Sequence, residues 1–345
     1  MSPFGNDKGL DRREFLRLSG ALGIGVAGVG LLPISESVAF DRTLFKVSRT
    51  AEAMGTFVSI TAMHPSRSKA DDAIGRALEE MSRVSRLLDR HDAASPVGVL
   101  NALGRAEQVP PELMEVLVRS RHFHRMSGGL FDITVQPVVD FCRSYFDVHS
   151  KPPPSDQLTS LLSLVDGECV SLGGRHARLT REGMGITLDG IAKGYVIDSG
   201  ARALRENGIA HGLINAGGDI CAVGEKEDGK AWKVAVRNPQ SSGPYLDVVR
   251  LKNGAVATSG NYEVFFDEEK LYHHIVNPET GRSPLESSSV TVMASATTDA
   301  DALSTAVFVM GPVRGGQLIE HITGAECLIL SRSGRKSSSS GWRRG

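Results

Sequence analysis

Asp301 and Thr305 stand four residues apart in the run 299–305, which reads Asp-Ala-Asp-Ala-Leu-Ser-Thr. The apolar spacing of 299–310 predicts a helix halted by Gly311-Pro312, and on a helix positions i and i+4 share a face. A carboxylate and a hydroxyl so placed can hold a small hard cation. Mg2+ takes oxygen ligands and keeps waters or substrate phosphates in its remaining positions, so two side chains and a backbone carbonyl suffice. The same residue types also cap helices, with Asp299 or Asp301 accepting from first-turn amides and Thr305 bonded to its own backbone. The spacing alone leaves both readings open.

Three further groups could carry chemistry. Residues 190–195, Gly-Ile-Ala-Lys-Gly-Tyr, follow a stretch (185–189) that reads as a strand passing into a helix. Such a junction offers free backbone N–H groups, and with Lys193 it suits a phosphate or pyrophosphate. The GxxxxGK[ST] spacing of a P-loop is absent, and a tight turn with a solvated lysine is the other reading. His273 and His274 are adjacent in 272–276, a predicted strand, so at most one of them points into a given site. There it can act as a general base or donate to a phosphate; otherwise it is a satisfied core or surface histidine. His122 and His124 read as helix surface. Glycine-rich runs at 54–56, 215–219 and 258–263 allow either close approach to a ligand or simple turns.

The elements that must position these residues are legible as periodicity. A strand is predicted at 57–63, then a helix capped by Ser68 with Ile74, Ala77, Leu78, Met81, Val84 and Leu88 inward. A second helix follows Pro110-Pro111 with Met114, Leu117 and Val118 inward, and a third runs from Gly190 to Asn207-Gly208. Short β-rich runs at 212–215, 232–237, 255–258, 272–276 and 290–294, and a last one at 326–330, read as a mostly antiparallel sheet. Grouped helices with such strands predict an α+β fold, mostly antiparallel sheets with packed helices, rather than a doubly wound parallel sheet.

Residues 1–39 read as an export signal: Arg12-Arg13 precedes Phe15-Leu16, an uncharged stretch covers 18–32, and Ser37-Val38-Ala39 is a small-residue cleavage site. The pattern is of the twin-arginine type and predicts a periplasmic protein with no stable membrane span once the signal is removed. The stretch is shorter than the ~20 residues of a spanning helix. A GxGxxG at 23–28 lies inside this segment and is rejected as a nucleotide fingerprint, because no strand-to-helix turn presents it. The remainder reads as one domain, 40–331, and a flexible basic and Ser-rich tail, 332–345. A net charge of −1 over 345 residues argues against nucleic acid as partner. Four scattered cysteines without a CxxC read as small buried hydrophobes.

Taken in order, the segments 53–56, 127–137, 189–195, 215–220, 257–263, 274–281 and 300–311 resemble those of the ApbE family, the FAD:protein FMN transferases. The resemblance implies a T-fold-like α+β architecture with the flavin in a cleft between two halves. It implies a metal site of Asp301, Thr305 and the Gly190 carbonyl with Ser304 nearby, and Mg2+ as the ion. FAD, the substrate, would touch Met54, Leu130, Phe131, Asp132, Thr187, Lys193, Ile275 and, with an imidazole where relatives often carry an aromatic residue, His91. His274 takes the catalytic role. The implied reaction moves FMN from FAD to a Thr or Ser hydroxyl on the FMN-binding domain of a redox protein and releases AMP. Hydrolysis of FAD to FMN and AMP, or non-catalytic FAD binding by an exported protein, are the alternatives. The chain departs from the family pattern at Asn277, where many relatives carry Asp, and at 93–98, which is less polar than usual.

Overall fold

The computed structural model describes residues 39–40 and 44–342, apart from 227–228, 241–244, 268 and 270. The signal-like segment up to residue 38, with its GxGxxG, lies outside them. Alternating and β-branched runs form the strands. β1 (Ala39–Phe40), β2 (Leu44–Ala53) and β3 (Thr56–His64) come first, and β4 (Arg105–Ala106), β5 (Val170–Gly173) and β6 (His176–Leu179) make a small separate sheet. β7 (His211–Ala216) and β8 (Asp219–Val223) are followed by the hairpin of β9 (Trp232–Val236) and β10 (Asp247–Leu251). β11 (Ala255–Gly260), β12 (Ser287–Ala294), β13 (Glu326–Ser331) and β14 (Lys336–Ser338) complete the chain.

The large sheet has the order β1-β2-β3-β7-β8-β11-β12-β13-β14, with every neighbouring pair antiparallel. One face packs on helices, with Ile60 and Val58 against Ile74, Met81, Ile197 and Phe308 in a single core. The other is covered by the β9–β10 hairpin, whose Trp232, Val234 and Val249 meet Ile220, Ala222 and Met293. Residues of β8 are therefore buried on both faces, and its sequence carries no polar alternation.

The helices are α1 (Arg67–Leu88), α2 (Pro96–Leu103), α3 (Pro111–Met126), α4 (Gln136–His149), α5 (Ser155–Leu162), α6 (Ala192–Glu206) and α7 (Thr297–Glu320). The expected inward face of α1 is buried, although the cap is Ser66 rather than Ser68, with the Lys69 N–H donating to Ser66 Oγ at 3.4 Å. On α3 the expectation needs correction: Leu113, Val116, Leu117 and Phe123 face the core while Val118 is 46% exposed. The stop at Gly311 is a break rather than an end. Gly311 leaves helical geometry with φ 78°, Pro312 cannot extend the ladder behind it, and a further helical segment reaches Glu320.

Two predicted strands, 185–189 and 272–276, do not form. The first has no strand partner and passes into a turn at Asp189, and the second contributes an isolated bridge between Phe265 and His273. The tail reading also fails over most of its length. β14 pairs with β13, and Trp342 is 4% exposed in the hairpin core, its indole N–H donating to Asp247 Oδ2 at 3.0 Å. One buried indole with a satisfied N–H outweighs a serine-rich composition. Of the cysteines, Cys142, Cys221 and Cys327 are buried as expected, Cys169 is partly exposed, and all four are free thiols.

Neither α6 nor α7 carries a capping side chain of its own. Each is capped by the other. Asp198 on α6 accepts from the Thr297 and Thr298 N–H groups at 2.9 and 2.8 Å and from the Thr298 hydroxyl at 2.6 Å. In return Asp301 on α7 accepts from the Gly194 N–H at 2.9 Å. The close approach requires glycine at 194, since a Cβ there would lie 2.4 Å from the Thr297 carbonyl oxygen. Asp198→Ala should cost about 2 kcal/mol by orphaning two amides, and Gly194→Ala about 3 kcal/mol by prising the helices apart. Both are read as urea midpoints. Trp342→Ala should cost about 3 kcal/mol on the same scale, whereas a frayed tail would leave the midpoint where it is.

Candidate functional site

Cross-capping brings the predicted ligand residues together. Asp301 and Thr305 share one face of α7, and the bare α-carbon of Gly190 abuts Thr305, where a Cβ would lie 3.0 Å from Thr305 Oγ1. Hydroxyl protons are ordered here by counting. Ser304 Oγ donates to the Asp301 carbonyl at 2.9 Å, so in its 2.8 Å contact with Ser259 it must accept. The Ser259 proton is thereby used, and in the 3.1 Å contact between Ser259 and Thr305 the donor is Thr305. Each hydroxyl has one proton and two lone pairs, so Thr305 Oγ1 keeps lone pairs for a ligand. Ser304, 0% exposed, acts as the buried support of that chain.

Around these oxygens the charge is unbalanced. Lys193 Nζ lies 2.9 Å from Asp219 Oδ2, and Asp219 Oδ1 accepts from the Thr258 N–H at 3.1 Å. Burial alone would lower the lysine pKa, but Asp219, Glu263 and Asp301 together more than offset it and hold the ammonium charged. The carboxyls of Asp301 and Glu263 are pushed up, by burial first and by the charge of Asp219, with Lys193 opposing. Three acidic side chains thus act on one partly exposed ammonium, and a divalent cation would favour the ionised form of all three. Among the described residues no three His, Cys, Asp or Glu side chains form a metal cage. The donor set that fits is one carboxylate, one hydroxyl and main-chain oxygen, a short hard list that suits Mg2+ better than a thiolate- or imidazole-seeking metal.

The two histidines have different surroundings, although the stretch that carries them forms no strand. His273 is 0% exposed, sits edge-on to Phe308 and donates from Nε2 to the Pro284 carbonyl at 3.2 Å; burial pushes its pKa down to about 4. His274 places Nδ1 3.0 Å from the Val264 carbonyl. A carbonyl only accepts, so Nδ1 carries the proton and Nε2 is the basic nitrogen. Burial depresses the His274 pKa, with Lys193 and Arg143 adding to it and the Val264 carbonyl and Asp189 opposing. The imidazole is therefore neutral at pH 7.

Met54 occupies the β2–β3 turn at φ 54°, followed by Gly55 at 67°. This left-handed pair matches strand twist, but a side chain there costs roughly 1 kcal/mol, strain of the kind that gathers at ligand sites. The turn touches the next hairpin: a Cβ on Gly217 would lie 2.8 Å from Thr56 Oγ1, two residues before Asp219. Thr187 is 8% exposed, with its N–H bonded to the Ile133 carbonyl at 2.8 Å.

The other predicted contacts serve the scaffold with their side chains. Ile275, Leu130 and Phe131 lie in the main core, and the Asp132 carboxylate is taken by the Thr134 N–H and hydroxyl and by the Gly167 N–H. His91 is exposed on the loop before α2. His124 is not helix surface: it is half-buried 3.3 Å from Asp132 Oδ2, which raises its pKa, while His122 is exposed as expected. Asp219 and Glu263 close the glycine-rich runs 215–219 and 258–263, and the spacing of those runs does not mark them as site residues. Their only signal is an acidic residue placed beside a run that reads as a turn.

Comparison with known proteins bears on the family and the fold. A model of the ApbE family matches residues 54–329. The FAD:protein FMN transferase of Treponema pallidum is 31% identical over 319 residues, covering 85% of this chain and 87% of its own length. An FAD:protein FMN transferase of Klebsiella pneumoniae is 30% identical over 272 residues, covering 76% of this chain and 84% of its own. Among solved structures, the ApbE protein of Thermotoga maritima superposes with a TM-score of 0.79 at 28% identity, over 87% of this chain and 98% of that one. The apo flavinyl transferase ApbE of Pseudomonas stutzeri, at 23% identity and a TM-score of 0.75, shares the fold over 87% of this chain and 96% of its own. The seven motif blocks, the antiparallel α+β architecture and these matches lead to one conclusion: the chain belongs to the ApbE family.

Proposed function

We propose that this protein transfers the FMN moiety of FAD to a Thr or Ser hydroxyl on the FMN-binding domain of an acceptor flavoprotein, with Mg2+ as cofactor and AMP as leaving group. The observation that carries the reading is a neutral His274, oriented by the Val264 carbonyl and near enough to Lys193 to feel its charge, with that lysine paired to Asp219 and acted on by Asp301. A base and an anion-neutralising lysine within electrostatic reach of each other are what phosphoryl transfer needs, since positioning and charge compensation do most of the work. The names of the relatives support the flavin as substrate.

In this scheme His274 Nε2 accepts the proton of the acceptor hydroxyl, and its oxygen bonds to the FMN phosphorus as the pyrophosphate P–O bond breaks toward AMP. Lys193, held by Asp219, compensates charge on the phosphate oxygens. Asp301 and Thr305, with main-chain oxygen at Gly190, would hold Mg2+, which supplies further neutralisation of the pyrophosphate when bound. Export to the periplasm belongs to the same proposal and rests on the Arg12-Arg13 signal pattern. Among the described residues no helix is long and apolar enough to cross a membrane.

Incubation with FAD, Mg2+ and an FMN-binding domain should add one FMN to the acceptor, seen by mass spectrometry. Asp301→Ala should reduce transfer at least ~100-fold, and chelation of the metal should abolish it. FMN and AMP released at a similar rate without acceptor would instead make the enzyme a hydrolase. The pH profile follows from His274. Because its folded pKa lies below 6.5, transfer should hold its rate from neutral pH down through the ordinary imidazole range and decline on further acidification as Nε2 is protonated. His274→Ala should lower kcat about 100-fold or more and erase that acid limb.

A further inference from the structure

The segment 185–190 carries Thr187 and Gly190 into the site, yet it belongs to no sheet. Ile186 is 0% exposed, so its backbone N–H and C=O are buried and need partners. Both are supplied by one side chain. The Ile186 N–H donates to Asn101 Oδ1 at 2.7 Å, and Asn101 Nδ2 donates to the Ile186 carbonyl at 2.9 Å. The carboxamide thus does what a residue on an adjacent strand would do, and the donor and acceptor positions fix its orientation. Its neighbours hold the same segment. Gly185 lies so near Gln136 that a Cβ would be 1.9 Å from Oε1, and Arg90, 6% exposed, reaches Asp140 at 2.9 Å and Asp189 at 3.6 Å.

Asn101 stands on α2, whose first turn is tied to the loop bearing His91: Ser95 caps the helix through the Gly98 N–H at 2.9 Å and donates to the Asp89 carbonyl at 2.5 Å. One amide therefore joins the His91 loop to the run ending at Gly190, which rests on Thr305.

We propose that Asn101 is a positioning residue for this enzyme: its side chain substitutes for a missing strand and sets where Thr187 and Gly190 stand relative to Asp301 and Thr305. The inference rests on the transferase reading and deepens it. Asn101 touches no reacting atom. Loss of its two bonds lets the segment slide, and displacement by about an ångström can cost ~100-fold in rate.

The test uses the full chain with Asn101→Asp, which keeps size and the acceptor for the Ile186 N–H but sets a carboxylate oxygen against the Ile186 carbonyl. Asn101→Ala removes both bonds, and Leu103→Ala, at an exposed position of the same helix, is the control. Transfer kinetics, half-saturating Mg2+ and FAD affinity from flavin fluorescence quenching are measured well below each protein's melting temperature. The expected result is a ~100-fold lower kcat/KM with weaker FAD binding and a higher Mg2+ requirement for both Asn101 variants, and wild-type behaviour for the control. Variants that melt earlier but keep wild-type FAD affinity and Mg2+ dependence would overturn the proposal while leaving the transferase reading intact. A wild-type protein that transfers no flavin would overturn the reading and the proposal with it.

Discussion

At the α6–α7 junction two carboxylates complete two helices, each lying on the helix it does not cap. A helix start exposes unpaired amides and the positive end of the peptide dipoles, so a carboxylate there is both bonded and electrostatically favoured. Because Asp198 and Asp301 act in opposite directions, neither helix can slide or rotate without losing a cap. Gly194 lets the backbones approach closely enough for both bonds to form. Asp301 is consequently oriented by the fold before any ligand arrives, with one oxygen committed to α6 and the other left over.

That arrangement concentrates negative charge where an anionic substrate is expected. The protein as a whole is nearly neutral, but locally Lys193 faces three acids, and two of those acids hold their protons more tightly than usual. A pyrophosphate entering such a place needs more positive charge than one ammonium. The hydroxyl chain from Thr305 through Ser259 and Ser304 to a carbonyl leaves lone pairs, not protons, toward the ligand space, in keeping with a cation bound between protein and substrate.

Much of this was legible in the residues. The i, i+4 spacing set Asp301 and Thr305 on one face, and the helix beginning near Gly190 ends where Asn207 predicts; His273 and His274 do differ in surroundings, but not by strand alternation, since no strand forms there. What was hidden has a common physical form: partners distant in the chain. Asp198 and Thr298 are one capping motif split between two elements, and no local pattern marks it. Residues 185–189 read as a strand because Ile186, Thr187 and Leu188 are strand-forming types; the partner is an amide on α2, so the ladder never forms. Val118 fits a helical stripe that α3 rotates toward solvent, and the serine-rich tail concealed a single anchoring indole.

The pairing of β3 with β7 joins stretches separated by about 150 residues, and the helices α1 to α6 all lie in that excursion. Closing so long a loop precedes the reward of the contacts it allows, which makes such topologies slow to fold. The Met54 turn precedes this excursion and Asp301 follows it, so the residues of the proposed site are all present only once the chain through α7 has been made. Polypeptides that stop before α7 lack Asp301 and Thr305, and with them the oxygen pair on which the proposed transfer depends.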